Sequence, residues 1–310
     1  PVRVPLTEAP AGVAIVDLHG RLVDVNRTLA DLLGYTVTDL VGNRLTDLVH
    51  REDVAEVADQ LARLASTGAP GAVRVERRLV RRDGAARWML MALSVVRDEN
   101  GGDSVVIVAQ DVTDHHRLEL KLRYQAQHDP LTGLPNRALF IQRLDRLFHP
   151  PTAVPGATVG LCFLDLDGFK AINDGLGHQI GDQLLTAVAE RINRCVTAEG
   201  HLLARIGGDE FVMLLADHAG PGTTAALAEK VLRTLDQPFR IGDHELRVSA
   251  SIGVVERQVA ATTPAELLWD ADVAVRRAKA NGKGRWALLD LDRNDLGRSS
   301  RFTWLAPAKR

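Results

Sequence analysis

Cysteine is scarce: only Cys162 and Cys195 occur in 310 residues. They stand far apart, each among apolar neighbours, so both read as small core residues and the chain as one for a reducing, cytoplasmic compartment. No uncharged apolar run approaches the roughly 18 residues of a membrane-spanning helix, and no signal peptide is visible, so no membrane partner is expected within this stretch. An excess of charge is lacking too. The formal net charge of -2 gives no reason to expect a nucleic-acid-binding surface, and any polyanionic partner must be held by local charge. There is no GxxxxGK[ST] segment, so phosphates are not cradled by a P-loop and have to be met by a metal ion and scattered cations. What is present is ordinary for a globular chain, 45% apolar and 25% charged residues, in a length that suits two domains better than one.

In the first third, VAIVD and RLVDV flank a turn at Leu18 to Gly20 and predict a hairpin over residues 13 to 25. Val54, Val57, Ala58, Leu61 and Leu64 recur at helical spacing. Three alternating runs follow, Val73 to Val80, Arg87 to Val96 and Val105 to Val112, with Asp83-Gly84 as a strong hairpin turn between the first two. This order resembles the PAS sensor family: GRLVDVNRTLADLLGYTVTDLVG, Gly20 to Gly42, is similar to its N-terminal half, and DVTD, Asp111 to Asp114, to its exit. The resemblance implies a five-stranded antiparallel sheet with helices over one face. The ligand of such a domain is left unknown. His50 reads as a residue opening a helix rather than as a haem ligand, and no cysteine precedes Cys162 to support light-sensing flavin chemistry.

Residues 112 to 127, VTDHHRLELKLRYQAQ, lack Gly and Pro, and Thr113 or Asp114 could cap a helix there. Leu118 and Leu122 give it a narrow apolar stripe, which gains stability by pairing with a second copy of itself. The expectation is a linker helix that forms a parallel coiled coil in a homodimer; a helix packed on its own domain is the alternative.

Beyond the linker, VGLCFLDL from Val159 to Leu166 is too apolar for an exposed edge strand and ends in Asp165 and Asp167, acids that suit a hard divalent cation at the rim of a sheet. A helix is predicted from about Gln183 to Val196, with Leu184, Leu185, Val188, Ile192 and Cys195 on one face. LLARIGGDEFVMLL, Leu202 to Leu215, reads as a hairpin whose glycines permit a tight turn and the approach of a phosphate or base, and whose adjacent acids repel unless a cation lies between them. Further elements are a helix around Ala225 to Leu235, strands around Glu245 to Val255, a helix opened by Thr263, Pro264 and Glu266 as cap, first-turn proline and capping-box acid, and a strand around Trp286 to Leu289. Lys279 and Lys283, four apart, are expected on one helix face. Strands alternating with helices, hairpins included, give a mixed sheet covered by helices, an α/β (α+β) class for the whole chain.

Three separate segments resemble the GGDEF family of diguanylate cyclases: DPLTGLPNR at Asp129 to Arg137, DLDGFKAINDGLGHQIGD at Asp165 to Asp182, and GGDEF at Gly207 to Phe211. The resemblance implies a palm-type cyclase fold that condenses two GTP to cyclic di-GMP and pyrophosphate. Position by position, it implies that Asp165, Asp209 and the Leu166 carbonyl hold Mg²⁺ or Mn²⁺, that Asp209 is also the candidate base, and that Glu210 lies near metal and ribose. Lys170, Lys279 and Lys283 correspond to triphosphate clamps, Asn173 and Asp182 to the guanine-reading pair, and Gly207 and Gly208 to the backbone that substrate approaches. Asp182 would accept from the ring and exocyclic N–H groups of guanine and be left unpaired by adenine. Where many members carry an RxxD product-inhibition motif, this chain has Ala198, Glu199, Gly200 and His201, so no such site is expected. The expected organisation is a PAS-like sensor over 1–113, a linker helix over 114–127, the cyclase domain over 128–291 and a tail or linker over 292–310. The alternative function is a catalytically silent GTP-binding module adjoining a phosphodiesterase domain outside this chain.

Overall fold

A computed structural model describes residues 11–67, 72–97, 103–149, 156–216 and 222–289. The chain divides after Leu122 into two compact units.

The first unit runs β1 (Gly12–Asp17), β2 (Leu22–Val25), α1 (Arg27–Leu33), α2 (Val37–Leu40), α3 (Val54–Thr67), β3 (Val73–Val80), β4 (Ala86–Arg97) and β5 (Asp103–Asp111). Its strands form one antiparallel sheet in the order β2-β1-β5-β4-β3. The core follows from the alternation: Met89, Met91 and Leu93 of β4 and Val105, Ile107 and Ala109 of β5 point to one face, where Leu29 and Leu33 of α1 and Val57, Leu61 and Leu64 of α3 cover them. Ala58 is exposed, so the buried stripe of α3 is narrower than its spacing predicts. His50 lies in the turn before α3, where its Nδ1 accepts the Glu52 amide at 3.4 Å.

The helix α4 (Thr113–Gln127) begins with the Thr113 amide donating to Asp111 Oδ1 at 2.8 Å, while the Thr113 hydroxyl accepts from Trp88 N–H at 2.9 Å. The expected cap is thus moved back to Asp111. Leu118, Leu120, Leu122 and Tyr124 are all more than half exposed.

The second unit continues with α5 (Arg137–Phe148), β6 (Thr158–Asp167), α6 (Phe169–Leu176), α7 (His178–Thr197), β7 (Leu202–Gly207), β8 (Glu210–Ala216), α8 (Thr223–Leu235), β9 (Phe239–Ile241), β10 (His244–Leu246), β11 (Ser249–Gln258), α9 (Pro264–Ala280) and β12 (Trp286–Leu288). The main sheet has the order β12-β11-β6-β8-β7, with β11 and β12 parallel and the remaining neighbours antiparallel. Its central strand β6 is buried on both faces, which is why it reads as a continuous apolar run. Cys162, Leu164 and Leu166 point toward α7 and α8. Val159, Leu161 and Phe163 point toward α5 and α9. Helix α9 opens with the predicted capping box, Thr263 Oγ1 accepting from Glu266 N and Glu266 Oε2 from Thr263 N. It can lie close on β11 because a Cβ at Gly253 would overlap the Ala271 carbonyl.

Several expectations change in detail. Helix α7 starts at His178 rather than near Gln183, and Cys195 is half-buried where Cys162 is fully buried. The strands expected around Glu245 to Val255 are two: β10 pairs with β9 in a separate hairpin, and β11 joins the main sheet. The tail from residue 290 lies outside the described residues.

Candidate functional site

The alternation that sends Phe163 toward α9 also sends Asp165, two residues on, to that face at the end of β6. In the ladder between β6 and β8, Asp165 stands opposite Glu210. The connecting turn holds Gly208 at a φ of 41°, a left-handed value that glycine accepts without strain. The Leu166 amide donates to the Asp209 carbonyl at 3.2 Å and ties this turn to β6. From α9, Lys279 Nζ comes within 2.6 Å of Asp165 Oδ2. Phe163, Asp165, Glu210, Asp272, Arg276 and Lys279 are among the residues lining a cavity of about 260 Å³.

The electrostatics of the turn are those of an anionic site short of positive charge. Burial, and then the charge of Asp165, push the Asp209 carboxyl above its usual range. Among the described residues, no three His, Cys, Asp or Glu side chains converge into a metal-holding group. The donors at hand are carboxylates and backbone carbonyls, the hard oxygens that Mg²⁺ and Mn²⁺ prefer, and the ammonium of Lys279 already stands as a cation against Asp165. The donor set therefore fits a divalent ion, with one Asp165 oxygen engaged by lysine.

Lys283 is not on the face of α9 as its spacing predicts. The helix ends at Ala280, Asn281 is its C-cap, and Lys283 lies beyond Gly282 with its own φ at 61°. Asp167 also departs from expectation: neutral donors take up its carboxylate, Ser251 Oγ at 2.8 Å, Ser249 Oγ at 3.0 Å and the Gly284 amide at 2.9 Å. Lys170 and Asp182 are exposed, Lys170 in the first turn of α6 and Asp182 in the second turn of α7. Among the described residues neither side chain makes an ion pair. Asn173 packs its amide against Gly181, where a Cβ would overlap Asn173 Oδ1 outright, and that oxygen is buried without a hydrogen-bond partner.

Arg205, which sequence reasoning passed over, organises the hairpin. Its Nε and Nη2 donate to the Gly208 carbonyl at 3.0 and 2.7 Å, and its Nη1 to Asp129 Oδ1 at 2.8 Å. Burial alone would raise the Asp129 carboxyl, but hydrogen bonds from Thr132 and Arg205 outweigh it and hold it below the usual range. The segment DPLTGLPNR is thereby fastened to the tip of the hairpin, and a cleft of about 740 Å³ between them exposes Gly207 and Gly208. The positions of the missing product motif hold an ion pair of another kind, Lys230 Nζ to Glu199 Oε1 at 2.6 Å.

Comparison with known proteins agrees with this architecture. The family profile described as "Diguanylate cyclase, GGDEF domain" matches residues 126–285, and one described as "PAS fold" matches residues 6–117. Diguanylate cyclase TpbB of Pseudomonas aeruginosa is 40% identical over 172 residues, covering 55% of this chain and 39% of that protein. Cyclic di-GMP phosphodiesterase PdeR of Escherichia coli is 33% identical over 221 residues, 71% of this chain and 32% of that protein. The chain thus spans well under half the length of these relatives. Among solved structures, the coiled coil and GGDEF domain of DgcB from Caulobacter crescentus, in complex with c-di-GMP, aligns with a TM-score of 0.52 at 30% identity over 57% of this chain and 93% of that one. With one profile matching just over half of its length and the other most of what precedes it, the chain belongs to the GGDEF diguanylate cyclase family and carries a PAS-fold domain ahead of the GGDEF domain.

Proposed function

We propose that this chain condenses two GTP into cyclic di-GMP with release of two pyrophosphates. The observation that carries the reading is the pairing of Asp165 with Glu210 across the ladder of β6 and β8, beside Lys279, with Asp209 in the adjoining turn held above its usual pKa range by burial and by the charge of Asp165. A bound Mg²⁺ or Mn²⁺ would relieve that repulsion and supply the charge that activates a 3′-hydroxyl and neutralises a phosphate in phosphoryl transfer. Asp165, Asp209 and the Leu166 carbonyl are the proposed ligands, with Glu210 beside metal and ribose. Asp209 is the proposed base, and Gly207 and Gly208 let substrate approach the backbone. Lys170, Lys279 and Lys283 would meet the triphosphate. Asn173 and Asp182 would read guanine, which the unpartnered Asn173 oxygen supports.

Each chain offers one such site and the reaction needs two nucleotides face to face, so the active species is a homodimer. The exposed Leu118 and Leu122 on α4 are the proposed seam, and the PAS-fold domain, through that helix, the regulator of the distance between sites. Incubation with GTP and Mg²⁺ followed by chromatography tests the reaction: cyclic di-GMP supports it, and bound but unconverted GTP establishes instead the silent regulatory module, a reading that similarity to a phosphodiesterase keeps in play. Replacing Leu118 and Leu122 together by Glu should cut specific activity at low protein concentration and leave it recoverable at high concentration. Undiminished activity at every concentration would remove α4 from the dimer.

A further inference from the structure

Asp165 and Asp167 leave β6 on the same face and look interchangeable in sequence, yet their surroundings differ. Asp165 faces a lysine and lines the cavity. Asp167 accepts three hydrogen bonds from neutral donors, close to the four or so that a carboxylate can take, and so has little capacity left for a metal. One of those donors is the backbone of Gly284, directly after Lys283 and 117 residues away in sequence.

Lys283 is unusual in its own right. Among the described residues it alone has a positive φ without being glycine. Its left-handed backbone crowds Cβ against the carbonyl, and it lacks the short polar side chain that makes Asn and Asp tolerable there. Glycines stand on both sides, Gly282 at 112° and Gly284 at 59°, so the turn could be made by glycine throughout. A lysine kept where glycine is easier is one whose side chain is used, and the strain persists because neighbours over-determine the backbone. Those neighbours are visible: Lys283 N–H donates to the Ala278 carbonyl at 3.2 Å, the Lys283 carbonyl accepts from Arg285 Nε at 3.1 Å, and Asp167 grips the next amide.

We propose that Asp167 is a positioning residue and no metal ligand: it holds the 282–284 turn in its strained form so that Lys283 presents its ammonium to the nucleotide triphosphate at the end of the strand that carries Asp165. The inference rests on the nucleotide-binding reading above and adds a residue to it. The fold accepts strain at Lys283 to keep a cation there, and Asp167 is what makes that strain tolerable.

The test is equilibrium binding to the full chain with Mg²⁺, comparing GMP with an α,β-methylene analogue of GTP that cannot release pyrophosphate. Asp167→Ala and Lys283→Ala should each weaken the analogue about 10-fold, the order of one hydrogen bond to a charged group, and change GMP affinity less than twofold. The double variant should bind the analogue no worse than either single one, because Asp167 acts through Lys283. Lys283→Gly should weaken the analogue by the same factor while raising the melting temperature of the second unit by about 2 °C, through relief of backbone strain. Equal loss for GMP and analogue, additive losses in the double variant, or a Lys283→Gly protein that binds the analogue as well as wild type would each overturn the proposal. If Asp167→Ala does not fold, Asp167→Asn decides in its place: its amide oxygen can still accept the Gly284 N–H, so analogue affinity should stay within about threefold of wild type, and a loss as large as that of Lys283→Ala would overturn the proposal. A wild-type chain that binds neither nucleotide would overturn the parent reading instead, an outcome separate from all of these.

Discussion

In the first unit Arg78 lies between Glu52 at 3.0 Å and Asp53 at 2.7 Å, Arg77 meets Glu56 at 2.6 Å, and Arg82 meets Asp39 at 3.2 Å. In the second unit Asp165 and Asp209 crowd each other, Asn173 Oδ1 is buried without a partner, and Lys283 occupies a backbone conformation suited to glycine. Among the described residues the first unit carries one comparable defect, Arg81 Nε, buried and unpaired, and the second a further one, Thr224 Oγ1, which lies against Gly160 away from Asp165. A fold left to minimise its own energy neutralises its charges and relaxes its turns. Where such departures lie near the end of a sheet that also carries the proposed ligands, we read the missing partner as a bound ligand, and the contrast between the units agrees with the motifs in pointing there.

The largest expected effect comes from Asp209→Asn. Loss of a proposed metal ligand should lower cyclase activity by more than the roughly 10–100-fold that outer-shell partners of metal sites carry. In metal-free buffer the same variant should melt at a higher temperature, because it removes a carboxylate raised by burial and by Asp165. A destabilised Asp209→Asn protein would break the comparison between the units.

Arg205→Ala comes next. It strips a partly buried guanidinium from Asp129 and from the Gly208 carbonyl, and should cost the second unit about 3 kcal/mol in chemical denaturation, the lower end for breaking a buried pair. Activity should fall with it, since the hairpin tip loses its tether.

Smallest is Asp53→Asn in the first unit. Its hydrogen bond from Arg78 lowers the Asp53 carboxyl from 3.8 to about 2. A carboxyl depressed in the folded state stabilises above its ordinary pKa, and that stabilisation drains away as pH falls through the folded value. The variant should be less stable at neutral pH by about 1 kcal/mol, in the range of a net hydrogen bond, and its first unit should lose stability less steeply than wild type as pH falls from 4 toward 2. Parallel acid-unfolding curves would show that Asp53 does not set this dependence.

Much of this architecture was legible in the chain. The period-2 runs give β3, β4 and β5, the doubly buried run gives β6, and Thr263, Pro264 and Glu266 mark the start of α9. Asp165 and the hairpin acids were legible because each lies inside a short string of residues that resembles a known family. The misreadings have physical causes. Lys279 and Lys283 looked like helix neighbours because spacing alone does not end a helix; the Asn281-Gly282 pair that ends it was there to be read. Asp167 looked equivalent to Asp165 because its partners are at positions 249, 251 and 284, and sequence carries no trace of such distant donors. Arg205 was passed over for the same reason, since Asp129 lies 76 residues away. Helix α5 could have been found from Asn136 as cap and from the spacing of Phe140 and Leu144, had the DPLTGLPNR string not drawn attention to itself alone.

The 282–284 turn also decides where this protein can be cut. Past the end of α9, the Gly284 amide completes Asp167, the Arg285 carbonyl accepts the Ile252 amide at 2.9 Å, and β12 covers the edge of β11 in parallel register. A shortened chain that stops at Ala280 would keep every helix among the described residues of the second unit and all three signature strings, yet it would bare a sheet edge and leave Asp167 without the Gly284 amide. For anyone dissecting the molecule into transplantable parts, a cut has therefore to fall after a strand of three residues, well past the last residue that any signature string includes.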